Sequence, residues 1–310
     1  MDWLNWFVAG PLLYIAVLLF IVVTGKKVLY YASMPRHLRW DLYPVPHQGP
    51  QGSKYQKVDF GKQAPHFSLV HELWEMSQEM LFIKKAFINN PGVWKGSFPL
   101  HAGIYLGIVW LVLILCGAIL GMMGIPVNRE ATGIVVVGVY YATIVFGVTG
   151  AVFGLFGTIC LLWMRYFDEG MRDMADFLTY ANLYLMLLVF GSGLLAWWGA
   201  DPDYSLMRRH TASLLTFSPA LPNPLIAFET FWFAVFLLYL PFSRMLHFVA
   251  KYFFYHDIMW DDESMKAGSK LEQDVISSLH YKLNWSAPHI TANATWLDQV
   301  AAGQKEEDKK

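Results

Sequence analysis

His101 opens the apolar block FPLHAGIYLGIVW, and His247 lies near the far end of NPLIAFETFWFAVFLLYLPFSRMLHFVAKYFFYH, residues 223–256. Two neutral imidazoles, one above and one below the iron, are what a six-coordinate b-type haem needs. Histidines at matching depth on two different helices predict such a pair, although either one alone is more commonly an interfacial residue. The second stretch also carries Glu229, 18 positions before His247. On one continuous helix, 18 steps of about 100° return to the same face roughly 27 Å further on. An ionisable group would then stand near each end of a membrane-crossing helix. Such groups are costly at membrane depth and mark a cofactor or proton site by default.

The elements that must position these residues follow from composition. Of 310 residues, 55% are hydrophobic and only 15% charged, against about 25% charged in soluble domains. The apolar residues cluster into five blocks, roughly 6–29, 98–123, 133–164, 177–199 and 225–250, each near the ~20 residues that span a bilayer. The expectation is an all-α membrane protein, a five-transmembrane-helix bundle. Its parts would be transmembrane helix 1 at 1–30, a cytoplasmic loop with an amphipathic helix at 31–97, a four-helix haem-binding core at 98–252 and a cytoplasmic tail at 253–310. Lys26 and Lys27 follow the first block instead of preceding it, so it reads as a retained helix and not a signal peptide. Residues 25–97 hold ten Lys or Arg, whereas the loop between helices 2 and 3 offers Arg129 and the loop between helices 4 and 5 offers Arg208 and Arg209. The positive-inside rule puts the N-terminus outside and the C-terminus in the cytoplasm of a multi-pass inner (cytoplasmic) membrane protein, with both His101 and His247 on the cytoplasmic side. A net charge of −1 gives no sign of nucleic-acid binding.

Along the chain, Trp3, Trp6 and Phe7 form an interfacial belt. Residues 34–55, rich in Pro and Gly, read as an ordered but irregular loop. Leu69, Leu73, Met76, Met80, Ile83 and Phe87 then recur at spacings of three and four, the pattern of an amphipathic helix lying on the membrane or a partner. His66 and His71 read as solvated or interfacial, as does His210 in the outer loop. Gly147, Gly150, Gly154 and Gly157 make a smooth stripe suited to close helix packing or to a porphyrin edge. Arg165 and Arg172 would meet haem propionates, lipid phosphate, or Asp168 and Asp173. Cys116 and Cys160 lie inside apolar helices and read as core residues, so the chain brings no iron-sulfur or zinc cluster of its own.

The five-helix plan, the FPLHAGI start of helix 2 and the PFSRMLH end of helix 5 resemble the cytochrome b subunit of respiratory nitrate reductase, the gamma-subunit superfamily. The RHLRWDLYPVPH segment and the long first cytoplasmic loop look more like the branch found with heterodisulfide-reductase-like iron-sulfur partners, as in the DsrMKJOP and Tmc complexes of sulfur metabolism. The resemblance implies an electron-transfer subunit between menaquinone and a cytoplasmic iron-sulfur protein, with a periplasmic cytochrome c subunit as a further partner. In the nitrate reductase relative, helices 2 and 5 each carry two histidines and together hold two haems. Carried over, His101 and His247 keep the inner position of each pair, and the outer positions fall on Leu111 and Glu229. The two lost ligands belong to one haem, so the resemblance implies a single haem b near the cytoplasmic face. Glu229, with Arg129 as its partner, would then mark a quinone or proton site near the outside; its plainer reading is an interfacial carboxylate. A haem-free anchor that recruits redox partners is the alternative from another class.

Overall fold

The computed structural model describes residues 3–34, 68–220, 223–253 and 267–307. His66 and the RHLRWDLYPVPH segment lie outside them. Internal contacts divide the chain into two units, Met1–Gly25 with Ser77–Leu246 and Lys26–Met76 with His247–Lys310.

The helices are α1 (Trp3–Ala9), α2 (Pro11–Ser33), α3 (Leu69–Phe82), α4 (Lys84–Asn89), α5 (Pro91–Met122), α6 (Ile134–Phe167), α7 (Glu169–Asp173), α8 (Phe177–Gly199), α9 (Ser205–Leu215), α10 (Pro224–Tyr239), α11 (His247–Phe253), α12 (Lys270–Leu279) and α13 (Trp296–Glu307). Five spans are long and apolar enough to cross a membrane: Trp3–Ser33, which joins α1 to α2, Pro91–Met122, Ile134–Phe167, Phe177–Gly199 and Pro224–Phe242. Only 22 to 28% of their most apolar windows is buried within the protein. Side chains such as Ile108, Val112, Val145 and Phe156 point outward, which in water would be an untenable surface. The architecture is therefore an all-α, multi-pass membrane bundle.

Local chemistry sets the helix ends. Asn90 caps α5 through its side chain, 3.2 Å from Val93 N, and Pro91 occupies the first turn, where its missing N–H costs nothing. The helix thus starts seven residues before the apolar block at 98. Asp176 caps α8 and also pairs with Arg244 at 2.6 Å. Asn223 caps α10, 2.8 Å from Leu225 N.

The bundle is built on backbone contact between α5 and α6. A Cβ at Gly103 would stand 2.3 Å from Gly154 N, and one at Gly157 2.3 Å from Leu100 N. The glycine stripe is a helix-packing surface. In a bilayer lipid is as apolar as a core, so helices associate through such close packing. The same equivalence corrects the reading of Cys116 as a core residue: it lies on the exposed face of α5, where lipid serves as well. α8 packs on α6 and α10 on α8, and Ala16 of α2 meets Ala234 and Leu237 of α10. Tyr239 Oη donates to Asn182 Oδ1 at 2.8 Å, joining α10 to α8. Tyr239→Phe is expected to lower stability by about 0.6 kcal/mol, the usual worth of an interhelical hydrogen bond in lipid, as read by thermal unfolding in detergent.

Two helices expected to be continuous are broken. The amphipathic pattern through Phe87 stops at Ile83, whose φ of 52° is left-handed. Glu79 Oε2 accepts from Lys85 N at 2.8 Å, Trp94 Nε1 donates to Phe82 O at 2.8 Å, and Tyr105 Oη donates to Met80 O. Those bonds hold the backbone of a β-branched residue where it would not otherwise rest. The buried side of α3 carries Glu72, Met76 and Glu79, while Leu69, Leu73 and Trp74 are exposed. The second break matters more. α10 ends at Tyr239, and 3₁₀ turns at Leu240–Phe242 and Arg244–Leu246 precede α11. Pro241 has no N–H for a fourth-residue bond and its ring crowds the preceding turn. Glu229 and His247 are therefore not two points on one helical face, and the 27 Å estimate does not apply to them.

The tail after α11 contains folded elements. Ser269 Oγ accepts from Glu272 N at 3.2 Å and Glu272 Oε2 accepts from Gly268 N at 2.6 Å, a reciprocal cap for α12. Thr295 and Asp298 cap α13 in the same way.

Candidate functional site

The loop between α8 and α10 sets the site. Asp201, 1% exposed, holds the start of α9 with Oδ1 2.9 Å from Leu206 N and Oδ2 2.8 Å from Met207 N. Burial raises its carboxyl pKa, and the two backbone donors only partly offset this. Tyr204 turns the chain into α9 in a left-handed conformation, φ 58°. With its first turn fixed, α9 packs against α5 and turns Tyr204, Met207, Arg208 and His210 inward. Asp201→Ala removes both acceptors from buried N–H groups and is expected to cost about 2–3 kcal/mol, read as a lowered unfolding midpoint.

Between α9 and the spanning helices lies a cavity of about 210 Å³. Its walls are mainly apolar, with Leu13, Trp110, Ile114, Phe190 and Phe233 among them, and Gly107, Gly147 and Gly193 leave flat stretches. Leu111 and Glu229 both line it. These are the two positions that the family resemblance would pair, and both line the one cavity. Glu229 is half-buried on α10, and Gly193 of α8 makes room for it: a Cβ there would stand 3.4 Å from Glu229 Oε1. The hydroxyl of Tyr204 is held far above the ordinary tyrosine range by burial first, then by the negative charges of Glu229 and Asp201.

Arg129, read as the partner of Glu229, is exposed in the loop between α5 and α6 and does not line the cavity. The buried arginine at this end is Arg208, 5% exposed. Its Nη2 donates to Val127 O at 3.1 Å, its guanidinium carbon lies 6.0 Å from the Tyr140 ring centre, and its Cδ occupies the space a Gly117 side chain would need. Burial lowers its pKa, against the pull of Asp203 and Asp201.

His210 overturns its sequence reading most clearly. Expected in solvent, it is 2% exposed and lines the cavity. Its Nδ1 lies 2.9 Å from Ala220 O. A carbonyl only accepts, so Nδ1 carries the hydrogen; the neutral ring then presents a lone pair at Nε2, which is buried with no hydrogen-bond partner among the described residues. Burial, the larger effect, lowers the imidazole's pKa, and the Ala220 bond opposes it. The signal was in YSLMRRHTASLL: Tyr204, Met207, His210 or Thr211, and Leu214 recur at three and four, the face of a short amphipathic helix.

A folded pKa below the unfolded one means that stability from His210 is fully present above about pH 6.5 and is lost as pH falls through and below that value. Unfolding midpoints at pH 8 and pH 5.5 are expected to fall in acid for the wild type, and by less for His210→Asn. Equal falls would remove His210 as the cause.

On α5, ten residues after its start, His101 is half-buried, with Nδ1 2.8 Å from Ser97 O. The same logic puts the hydrogen on Nδ1 and the lone pair on Nε2, the tautomer of a metal-ligating imidazole. His247 is exposed and begins α11 in the second unit, where Phe253 of the same helix meets Tyr31 with ring centres 5.8 Å apart. Arg172 Nε stands 3.8 Å from Asp173 Oδ1, and Arg165 Nη1 donates to Met171 O at 3.4 Å. No family model, no curated protein and no solved structure matches this chain.

Proposed function

We propose that the chain is the membrane cytochrome b subunit of a respiratory redox complex. It lies in the cytoplasmic membrane with its N-terminus outside, and passes electrons between menaquinone and a cytoplasmic iron-sulfur subunit of the heterodisulfide-reductase-like kind. His101 and His247 would hold one b haem, which when bound supplies one-electron transfer. The chain's own residues supply the ligand tautomer, at His101 through Ser97 O, and the apolar chamber that α5 lines with Ile104 to Ile114.

The observation that carries the reading is that chamber. Leu111 and Glu229, apart in sequence, line one cavity, as expected if a second cofactor place has been vacated and kept for another ligand. The distribution of basic residues supports the orientation. Lys84, Lys85, Lys95, Arg165, Arg172 and Arg244 lie in or next to the ends of α4 to α7 and α10, away from α9, whereas Arg208 is buried on a backbone carbonyl. The break at Pro241 favours the second reading, a haem-free anchor, because it removes His247 from the α10 helix.

Haem b per polypeptide on the purified chain, measured as the pyridine haemochrome, separates the two. One haem, reducible by a menaquinol analogue, is the expected result. No haem in material that still unfolds cooperatively would leave the anchor.

A further inference from the structure

We propose that the end of the bundle formed by α6, α7 and the start of α8 binds the phosphate of an anionic phospholipid, with Arg165 Nη2 as its charged donor. The site is independent of the haem and of the cavity beneath α9. Its basis is a half-buried arginine, in the last turn of α6, whose charge no carboxylate answers. Arg165 Nη1 reaches Met171 O only at 3.4 Å, Nε is enclosed without a partner, and the side chain makes no ion pair among the described residues. Nη2 has no partner among them either, but it is not enclosed and so is open to a ligand. The carboxylates nearby in sequence are engaged elsewhere. Asp168 Oδ1 accepts from Met171 N at 2.9 Å and caps α7, Asp176 accepts from Thr179 and pairs with Arg244, and Asp173 stands 3.8 Å from Arg172. A cation at a membrane boundary without a counter-charge from its own chain is met from outside, and phosphate oxygens suit the planar guanidinium.

The surrounding surface fits a lipid better than a free anion. Tyr166 Oη and Tyr184 Oη share a hydrogen bond of 2.7 Å that joins α6 to α8 on the exposed side. Whichever of them donates, the other keeps an O–H for an outside acceptor. Tyr180 links this pair to the arginine: its Oη donates to Arg165 O at 2.9 Å, and its ring centre lies 5.2 Å from that of Tyr166. Trp163, Phe167 and Phe177 are exposed at the same ends of α6 and α8. Such rings belong at headgroup depth, and basic residues between helix ends are a recurring place for anionic head groups. A haem propionate is the other anion that an arginine would take here. The open hydroxyl pair and the exposed rings favour the phospholipid, because both are on the outer surface of the bundle.

The test is native mass spectrometry of the full-length chain in detergent, titrated separately with phosphatidylglycerol and phosphatidylcholine of identical acyl chains. The wild type is expected to hold phosphatidylglycerol about fivefold more tightly, ~1 kcal/mol, the worth of one arginine near a membrane surface. Arg165→Gln keeps a polar side chain and loses the charge, so the preference should fall below about twofold in protein that still unfolds cooperatively. Arg165→Lys keeps the charge and should keep most of the preference. Arg129→Gln, in the loop at the opposite end of α6, should behave as the wild type. Equal binding of the two lipids by the wild type, or the full preference in Arg165→Gln, would overturn the assignment. Loss of the preference in excess inorganic phosphate would make this a site for the free anion instead. A changed haem content or midpoint potential in Arg165→Gln, with the lipid preference intact, would make the partner a propionate and also overturn it.

Discussion

Replacing His101 with alanine is expected to reduce haem b from one per chain to less than about a tenth, without loss of folded protein. The side chain is half-buried ten residues after the start of the 32-residue α5, and its contact with Ser97 O lies within its own turn. The b haem that His101 and His247 would hold would lose one of its two protein ligands, and with it a large part of its affinity for the chain. His247→Ala is expected to give the same loss. Added imidazole should restore part of the haem spectrum in each variant, which a folding defect would not allow. His71→Ala, on α3 with Nδ1 2.7 Å from Ser68 Oγ, is the control and should retain the full complement. Haem retained in His247→Ala would exclude the pair, and the pigment would then have to be sought at His210.

The largest effect on stability is expected at Gly157. A Cβ there would meet Leu100 N at 2.3 Å and Gly96 O at 2.6 Å, and both are helix backbone, which cannot rotate away as a side chain can. Gly157→Val forces α5 and α6 apart along the contact on which α8 and α10 are then stacked. Overpacking a yielding core costs about 1–3 kcal/mol, and a rigid contact should exceed that range. Against a total of about 5–15 kcal/mol, the expected outcome is a collapse in the yield of monodisperse protein. Gly138 is on the same helix, where a Cβ meets nothing within 4 Å. Gly138→Ala should be neutral or stabilising by up to about 1 kcal/mol through helix propensity. A comparison of unfolding midpoints in one detergent checks both; a Gly157→Val protein as stable as the wild type would mean that α5 and α6 are not in backbone contact.

The membrane spans were legible because hydrophobicity is summed over about 20 residues, and no tertiary contact reverses such a sum. The glycine stripe was legible as packing, since small residues three and four apart can only make a smooth face. The breaks at Ile83 and Pro241 were harder. Apolar residues continue at helical spacing through Phe87, and the proline sits in a run that is otherwise uniformly apolar, so periodicity outweighed the local signal. The loop between α8 and α10 was misread for another reason. Two arginines and a histidine in sequence look solvated, and only the fold gives their alternate members, Arg208 and His210, an interior to enter.

The sequence by itself determined that this is a membrane bundle of five apolar spans. Composition suffices for this because bilayer thickness and helix geometry are constants external to the protein. Tertiary structure alone decided that Leu111 and Glu229 share a cavity, that α9 closes over it, and that Arg208 rather than Arg129 is the buried arginine at that end. It also decided which nitrogen of His210 carries the hydrogen, since that follows from where the backbone carbonyl of Ala220 falls. A hydrogen-bond partner ten residues away in a loop is a product of folding, and no local pattern encodes it.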